Sequence, residues 1–287
     1  MGIKEKLGVI GYIIKVTFKY LLKHPKTLSP FVVIALFNIL SLFTLYLAPL
    51  YPFKRILGPP IVRFWGVKFL HYPYNFILLP NLFFKVKNFL INPLISSVMI
   101  AVCAGMIYHY YLGQEPSFSR ALNKALRRYV HLLLVMGAMI ALTYLIGRFI
   151  SYVLNKIFSD WKNVGLLNFV VSFFITVGIE ALFAYAFLII MIKGKGILSA
   201  LKESFVFSSG LFFITYILVL IPRLFDLAVG VLARKQLYFM DKFIPDVTLL
   251  IIITGILVAI FSDGLVYSFV SNLYILRKKA KDSSEKT

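Results

Sequence analysis

The sequence is poor in cysteine, in acidic residues and in the motifs of catalysis, and each shortage removes a class of protein. A single cysteine, Cys103, rules out an internal disulfide framework, and its place inside an apolar run marks a small buried hydrophobe. Asp and Glu number 11 against 31 Lys and Arg, a formal charge of +20. There is no His-Glu-x-x-His zinc helix, no Gly-x-Ser-x-Gly nucleophile turn and no glycine loop for phosphate. The four histidines are scattered, and His109, beside Tyr108, Tyr110 and Tyr111, reads as part of an interfacial aromatic belt and not as a metal ligand. No catalytic residue, metal or cofactor is therefore expected. No cleavable leader is expected either. The first long apolar run starts near Phe31 and meets no small-residue cleavage site, so it is expected to remain as a membrane span.

Hydrophobic residues are abundant. They make up 60% of the chain and the mean hydropathy is +0.88, where a soluble domain holds roughly 45–50% apolar residues. They come in long runs instead of the spaced pattern of a soluble core, and a run of about 20 residues crosses a hydrocarbon layer roughly 30 Å thick. Six spans follow: 30–50, 94–112, 130–153, 164–192, 211–232 and 247–275. Runs of this length without alternation satisfy their own backbone groups in lipid as helices. The expected fold class is all-α, a polytopic helical membrane protein forming one integral domain over 1–287. Asn92 before Pro93 reads as a cap followed by a first-turn proline, and Asp246 as a cap for the last span.

Lys and Arg gather at the ends of the runs, where they meet anionic lipid head groups and fix topology, so the charge favours membrane lipids over nucleic acid as partners. With the amino terminus inside, the inner connections carry 18 Lys and Arg and the outer ones 11. Six of those 11 fall in the long segment before span two, and long connections count less. Both termini are therefore expected on the cytoplasmic face of an inner membrane, with 276–287 as a cytoplasmic tail. The outer segment 51–90 is basic and aromatic, with Trp65, Phe69, Tyr72, Tyr74 and Phe76 among five prolines. It is expected to lie on or dip into the outer surface in short pieces.

Three charged stretches precede spans one, three and five. In "KGKGILSALKESF" the residues Ile197, Leu198, Leu201 and Phe205 share one helical face, with Ser199, Lys202 and Glu203 on the other. Phe118, Ala121, Leu122, Ala125, Leu126 and Tyr129 form a similar face before span three. Within the amino-terminal interfacial helix expected over 1–28, Ile3, Leu7, Ile10, Ile14, Phe18 and Leu21 form another. Such helices rest at the membrane surface as elbows. The chain reads as three units, each an elbow and two spans, and "ALNKALRR" aligns with "ALKESFVF" 79 residues on.

Through "KHPKTLSPF", "FSRALNKALRRYVHLLL" and "IKGKGILSALKESF", the chain resembles an uncharacterised bacterial six-span inner-membrane protein family. That family is related to the membrane domain joined to some glycerophosphodiester phosphodiesterases. The resemblance leaves out 51–90 and implies a fold but no activity, because no phosphodiesterase domain is present.

Five ionisable residues fall within spans: Arg148, Glu180, Arg223, Asp226 and Asp263. Each costs about 2.5–3.5 kcal/mol near a helix centre, so each is expected to face protein or water. Small residues on the same faces, such as Gly137 and Ala141 before Arg148 and Gly255 and Ala259 before Asp263, allow close helix approach. Ser97, Ala101 and Gly105 stripe span two in the same way. Depth at about 1.5 Å per residue pairs Glu180 with Arg223. Asp226 is expected to share that arginine or reach Arg148, Asp263 to lack a cation and meet water, and Pro222 to kink span five. The set reads as structural ion pairs or as a polar cavity that transports or accommodates a lipid or small solute. The alternative from another class is an assembly factor that binds another membrane protein or organises the bilayer. An intramembrane enzyme would need Glu180, Asp226 and Asp263 to act as a carboxylate set.

Overall fold

The apolar runs fold as helices throughout the computed structural model, which describes residues 2–158, 161, 163–235, 238, 242 and 245–284. The side chains of Phe64, Trp65 and 281–284 lie outside that description, so the Trp65 ring expected at the outer surface and the tail residues 285–287 fall outside the described residues. The chain runs α1 (Ile3–Lys23), α2 (Ser29–Leu47), α3 (Phe53–Trp65), α4 (Tyr74–Val86), α5 (Ser97–Tyr111), α6 (Phe118–Leu126), α7 (Tyr129–Ile157), α8 (Val164–Phe183), α9 (Tyr185–Lys193), α10 (Ile197–Ser209), α11 (Phe212–Arg234) and α12 (Val247–Ser284). Six helical stretches are long and apolar enough to cross a bilayer: Pro25–Leu47, Tyr74–Tyr111, Tyr129–Ile157, Val164–Lys193, Phe212–Arg234 and Val247–Ala280. The protein is a multi-pass integral membrane protein of all-α class. The face holding α1, α6 and α10 is called near, and the opposite face far.

Packing partners define a three-part ring. α5, the α8–α9 pair and α12 pack on one another at the centre. Each remaining span fits between two of them: α2 between α12 and α5, α7 between α5 and α8, α11 between α8 and α12. Each elbow docks on the second span of the unit before it, α6 on α5 and α10 on α9, while α1 closes the circle on α12. The aligned positions of the two short repeats do the same work. Ala121 and Ala125 in α6, like Ala200 and Ser204 in α10, are wholly buried.

α6 and α10 therefore seat small residues on the bundle, and part of the apolar face expected at the membrane surface stays open. Leu198, Phe205 and Val206 in α10 are exposed, as are Ile3, Leu7 and Phe18 in α1, whose buried residues are Ile10, Ile13, Thr17, Tyr20 and Leu21. In lipid a large hydrocarbon side chain gains nothing by turning inward, whereas close backbone approach and hydrogen bonds do hold helices together. α10 leans back along α9 as a hairpin turned at Gly194, whose positive φ of 66° suits glycine. Its Ser204 donates to the Leu182 carbonyl at 2.9 Å and Ser208 to that of Ala181 at 2.7 Å, beside the interruption at Ala184 that separates α8 from α9. Lys193 and Lys195 both pair with Glu203 across the hairpin mouth. Partial burial pushes the Glu203 carboxyl up, but the two ammonium groups outweigh it and hold it below the usual carboxylate range. Replacing Ser204 and Ser208 together by alanine is expected to cost about 0.6–1.7 kcal/mol for each interhelical hydrogen bond, read as a lower Tm in detergent.

The outer segment departs most from expectation. Only α3 and the short turn Val67–Leu70 form separate pieces, and Ile61 and Phe69 bury against α2, α4 and α12 in a small second core. α4 belongs to span two, which starts at Tyr74 and not near 94. It continues through a π-helical stretch, Lys87–Ser96, which carries Pro93 without breaking. Asn92 is no cap: its Nδ2 donates to Asn88 Oδ1 and its Oδ1 accepts from Ser96, both at 3.2 Å, forming a polar ladder one helical turn apart. Nor does the tail begin free at 276. α12 continues through it, with Lys279 Nζ donating to the Tyr111 carbonyl at 2.8 Å and the Arg277 guanidinium 5.4 Å over the Phe207 ring. His109 is buried, not part of an exposed belt.

The two halves of the ring pack differently. Toward the near face, α5 is buried all round from Val98 to Ile107, and Tyr185–Ile190 of α9 are fully buried beside it. Here a Cβ on Gly105 would meet Met191 Cε at 2.6 Å and Ala121 Cβ at 3.3 Å. Toward the far face large side chains of α7 such as Phe149 and Tyr152 are exposed. Gly137 and Gly147 of α7 have open space where a Cβ would stand, so the small residues before Arg148 do not mark a helix contact.

Candidate functional site: an ion cluster between two cavities

Arg223 stands at the middle of α11, in the groove between α8 and α12. Its Nε donates to Glu180 Oε2 at 2.8 Å and its Nη2 to Glu180 Oε1 at 2.5 Å, a two-pronged pairing that fits a planar guanidinium to a carboxylate. Nη1 donates to Asp263 Oδ1 at 2.6 Å, to Asp226 Oδ2 at 2.9 Å and to Ser262 Oγ at 3.3 Å. Ser262 Oγ donates in turn to Asp226 Oδ2 at 2.6 Å. The ring explains the meeting: Glu180 comes from central α8, Asp263 and Ser262 from central α12, and Arg223 and Asp226 from the span wedged between them. α11 runs through Pro222 as one helix.

One guanidinium thus serves three carboxylates. Asp263, expected to lack a cation, bonds the same arginine as Glu180. The sequence held the signal, because Asp263 stands as many residues from Ile275 as Arg223 does from Leu211. Arg148 is not part of the group. It lies on α7, which occupies a different groove of the ring, where its Nε donates to Tyr144 Oη at 3.0 Å. Among the described residues, no hydrogen bond or ion pair joins Asp226 to Arg148.

Two cavities meet at the cluster. One, about 630 Å³, runs among α4, the π-helical stretch, α5, α7 and α8; the other, about 430 Å³, runs among α8, α11 and α12. Phe84, Lys87, Thr176, Glu180, Arg223 and Asp263 line both. Away from those six the first is bounded by residues such as Asn88, Asn92 and Thr143, and the second by Phe173, Leu227 and Ile251. The second extends from mid-bundle into the far half, and the first runs through mid-bundle from Ile34 and Met136 to Asn88 and Phe89, with the packed α5 and α9 segments on the near side. Among the described residues, Asp226 Oδ1 and Asp263 Oδ2 make no hydrogen bond, which leaves acceptors at the carboxyl groups that border the second cavity.

Sequence reasoning missed Lys87 and Ser262, whereas Thr176 stands one turn before Glu180 on the helical face expected to meet protein or water. Lys87 was assigned to the surface segment because Pro93 reads as a helix start, yet the Asn88, Asn92, Ser96 spacing of one helical turn marks a helix continuing through the proline. Ser262 adjoins Asp263 and carries no signal of its own. Compared with known proteins, the chain matches no family, no curated relative and no solved structure.

Proposed function

We propose that this protein transports or accommodates a lipid or small solute in the polar space around Arg223. The observation that supports the reading is the shared wall: an ion cluster with unbonded carboxylate oxygens stands where a cavity of mixed polar and apolar lining meets one bounded largely by apolar side chains. Ordinary structural ion pairs are enclosed by packing, whereas side chains here keep 17% (Arg223), 28% (Asp226) and 25% (Asp263) of their surface open. A guest with an apolar body and a hydroxyl or amine group would place the body in either cavity and donate to the carboxylates. The excess of Lys and Arg on the near connections supports an inner-membrane location with that face toward the cytoplasm. The likeness to the bacterial six-span family agrees with such a location.

Thr176 is exposed to both cavities and can be enlarged without disturbing a packed contact. Thr176→Trp is expected to fold with an unchanged Tm and to lose most of the lipid that copurifies with the wild type, measured by mass spectrometry of the delipidation extract. Equal lipid in both proteins contradicts the reading, and stoichiometric copurification of another polypeptide in place of lipid favours the assembly role.

A further inference from the structure

A third space, a cleft of about 350 Å³, lies between α7 and α8 in the far half, apart from the Arg223 cluster. Two guanidiniums line it, Arg148 from α7 and Arg234 from the end of α11. Arg148 donates once, to Tyr144 Oη, and Arg234 Nη1 donates to the Gly165 carbonyl at 2.8 Å with its guanidinium 4.1 Å over the Phe169 ring. A guanidinium carries five N–H donors, so most of each is left for a ligand. Among the described residues no carboxylate lines the cleft and neither arginine enters an ion pair. Its floor is a neutral polar row: Asn168 Nδ2 donates to Ser151 Oγ at 2.7 Å, and Ser172 Oγ to Asn168 Oδ1 at 3.2 Å.

We propose that this cleft binds the phosphate of an anionic phospholipid from the far leaflet. Arg148 lies roughly 14 Å along α7 from its far end, by the rise per residue, and Arg234 closes α11, so the pair spans head-group and upper acyl depth. An arginine at that depth needs an anion, and two planar forks suit the oxygens of a phosphate diester. The surroundings select a lipid over free phosphate. Leu145, Phe149 and Tyr152, on the turns beside Arg148, are 65%, 68% and 66% exposed, an apolar flank against which acyl chains can lie. Thr143 and Tyr144 border both this cleft and the 630 Å³ cavity, so a bound head group would set its chains at the cavity mouth. The inference stands whether or not any guest then reaches Arg223.

The test is native mass spectrometry of the full-length protein, delipidated and titrated with phosphatidylglycerol, phosphatidylcholine or inorganic phosphate. The wild type is expected to retain phosphatidylglycerol about tenfold better than phosphatidylcholine, because both offer a phosphate diester but the choline ammonium cancels its charge beside the two guanidiniums. Arg148→Gln with Arg234→Gln removes that preference. Arg148→Lys with Arg234→Lys, which keeps charge but loses the forks, retains part of it and supplies the reading if the glutamine pair fails to fold. Thr176→Trp leaves the preference intact, so failure here and failure of the transport reading are separable. Equal retention of the two lipids by the wild type, or an undiminished preference in either folded double variant, overturns the assignment. Displacement of the lipid by inorganic phosphate at equal concentration also overturns it, in favour of a free-phosphate site.

Discussion

Arg223→Met is expected to be the most destabilising change in the ion cluster, at about 3–5 kcal/mol, because removing one partner of a buried pairing leaves charge uncompensated. Here it strands three carboxylates at once. Glu180 loses the two-pronged pairing, and Asp226 and Asp263 lose the guanidinium they bond. The expected result is a large fall in Tm, or loss of monodisperse protein in detergent.

Single neutralisations should cost less, and unequally. Glu180→Gln removes the two-pronged pairing but leaves Arg223 with two anions. Asp226→Asn or Asp263→Asn removes one anion of an excess, so the lost attraction is partly offset by lost repulsion between carboxylates. Combining Arg223→Met with neutralisation of all three acids should recover most of the stability, as replacement of a whole buried ionic group often does. Equal costs for Arg223→Met and Asp263→Asn in Tm measurements would contradict the one-against-three arrangement.

The six spans were legible because lipid demands long apolar runs and self-satisfied backbones, and both are written in sequence. The Glu180–Arg223 meeting was legible by depth, since helical rise converts residue counts into height. Lateral neighbours are another matter. Depth alone cannot tell that α7 and α11 occupy different grooves, which is why Arg148 was a plausible partner for Asp226 and is not one. The elbows were legible as surface helices, but which of their residues dock on the bundle was not. A hydrophobic stripe points to the core in water, but α10 shows Phe205 to lipid and seats Ala200, Ser204 and Ser208 on its neighbour. Pro93 misled similarly, since a π-helical stretch with an Asn88, Asn92, Ser96 ladder carries the helix past a residue that usually starts or stops one.

The asymmetry between a sealed near half and a hollow far half predicts a large contrast in thiol chemistry. Cys103 is fully buried in α5 and is the chain's one cysteine, so every introduced thiol can be followed against a silent background. Reaction at Cys103 requires the packed half to open. An opening of about 4 kcal/mol slows it by about three orders of magnitude relative to a thiol in a cavity. Thr143, by contrast, lines both the 630 Å³ cavity and the basic cleft.

The most direct measurement is labelling of Thr143→Cys by a membrane-impermeant maleimide in right-side-out and inverted vesicles. Rapid modification from the far side alone, with Cys103 unmodified from both sides until the protein is unfolded, is the predicted result. Modification of Thr143→Cys from the near side, or of Cys103 in the folded protein, would contradict it.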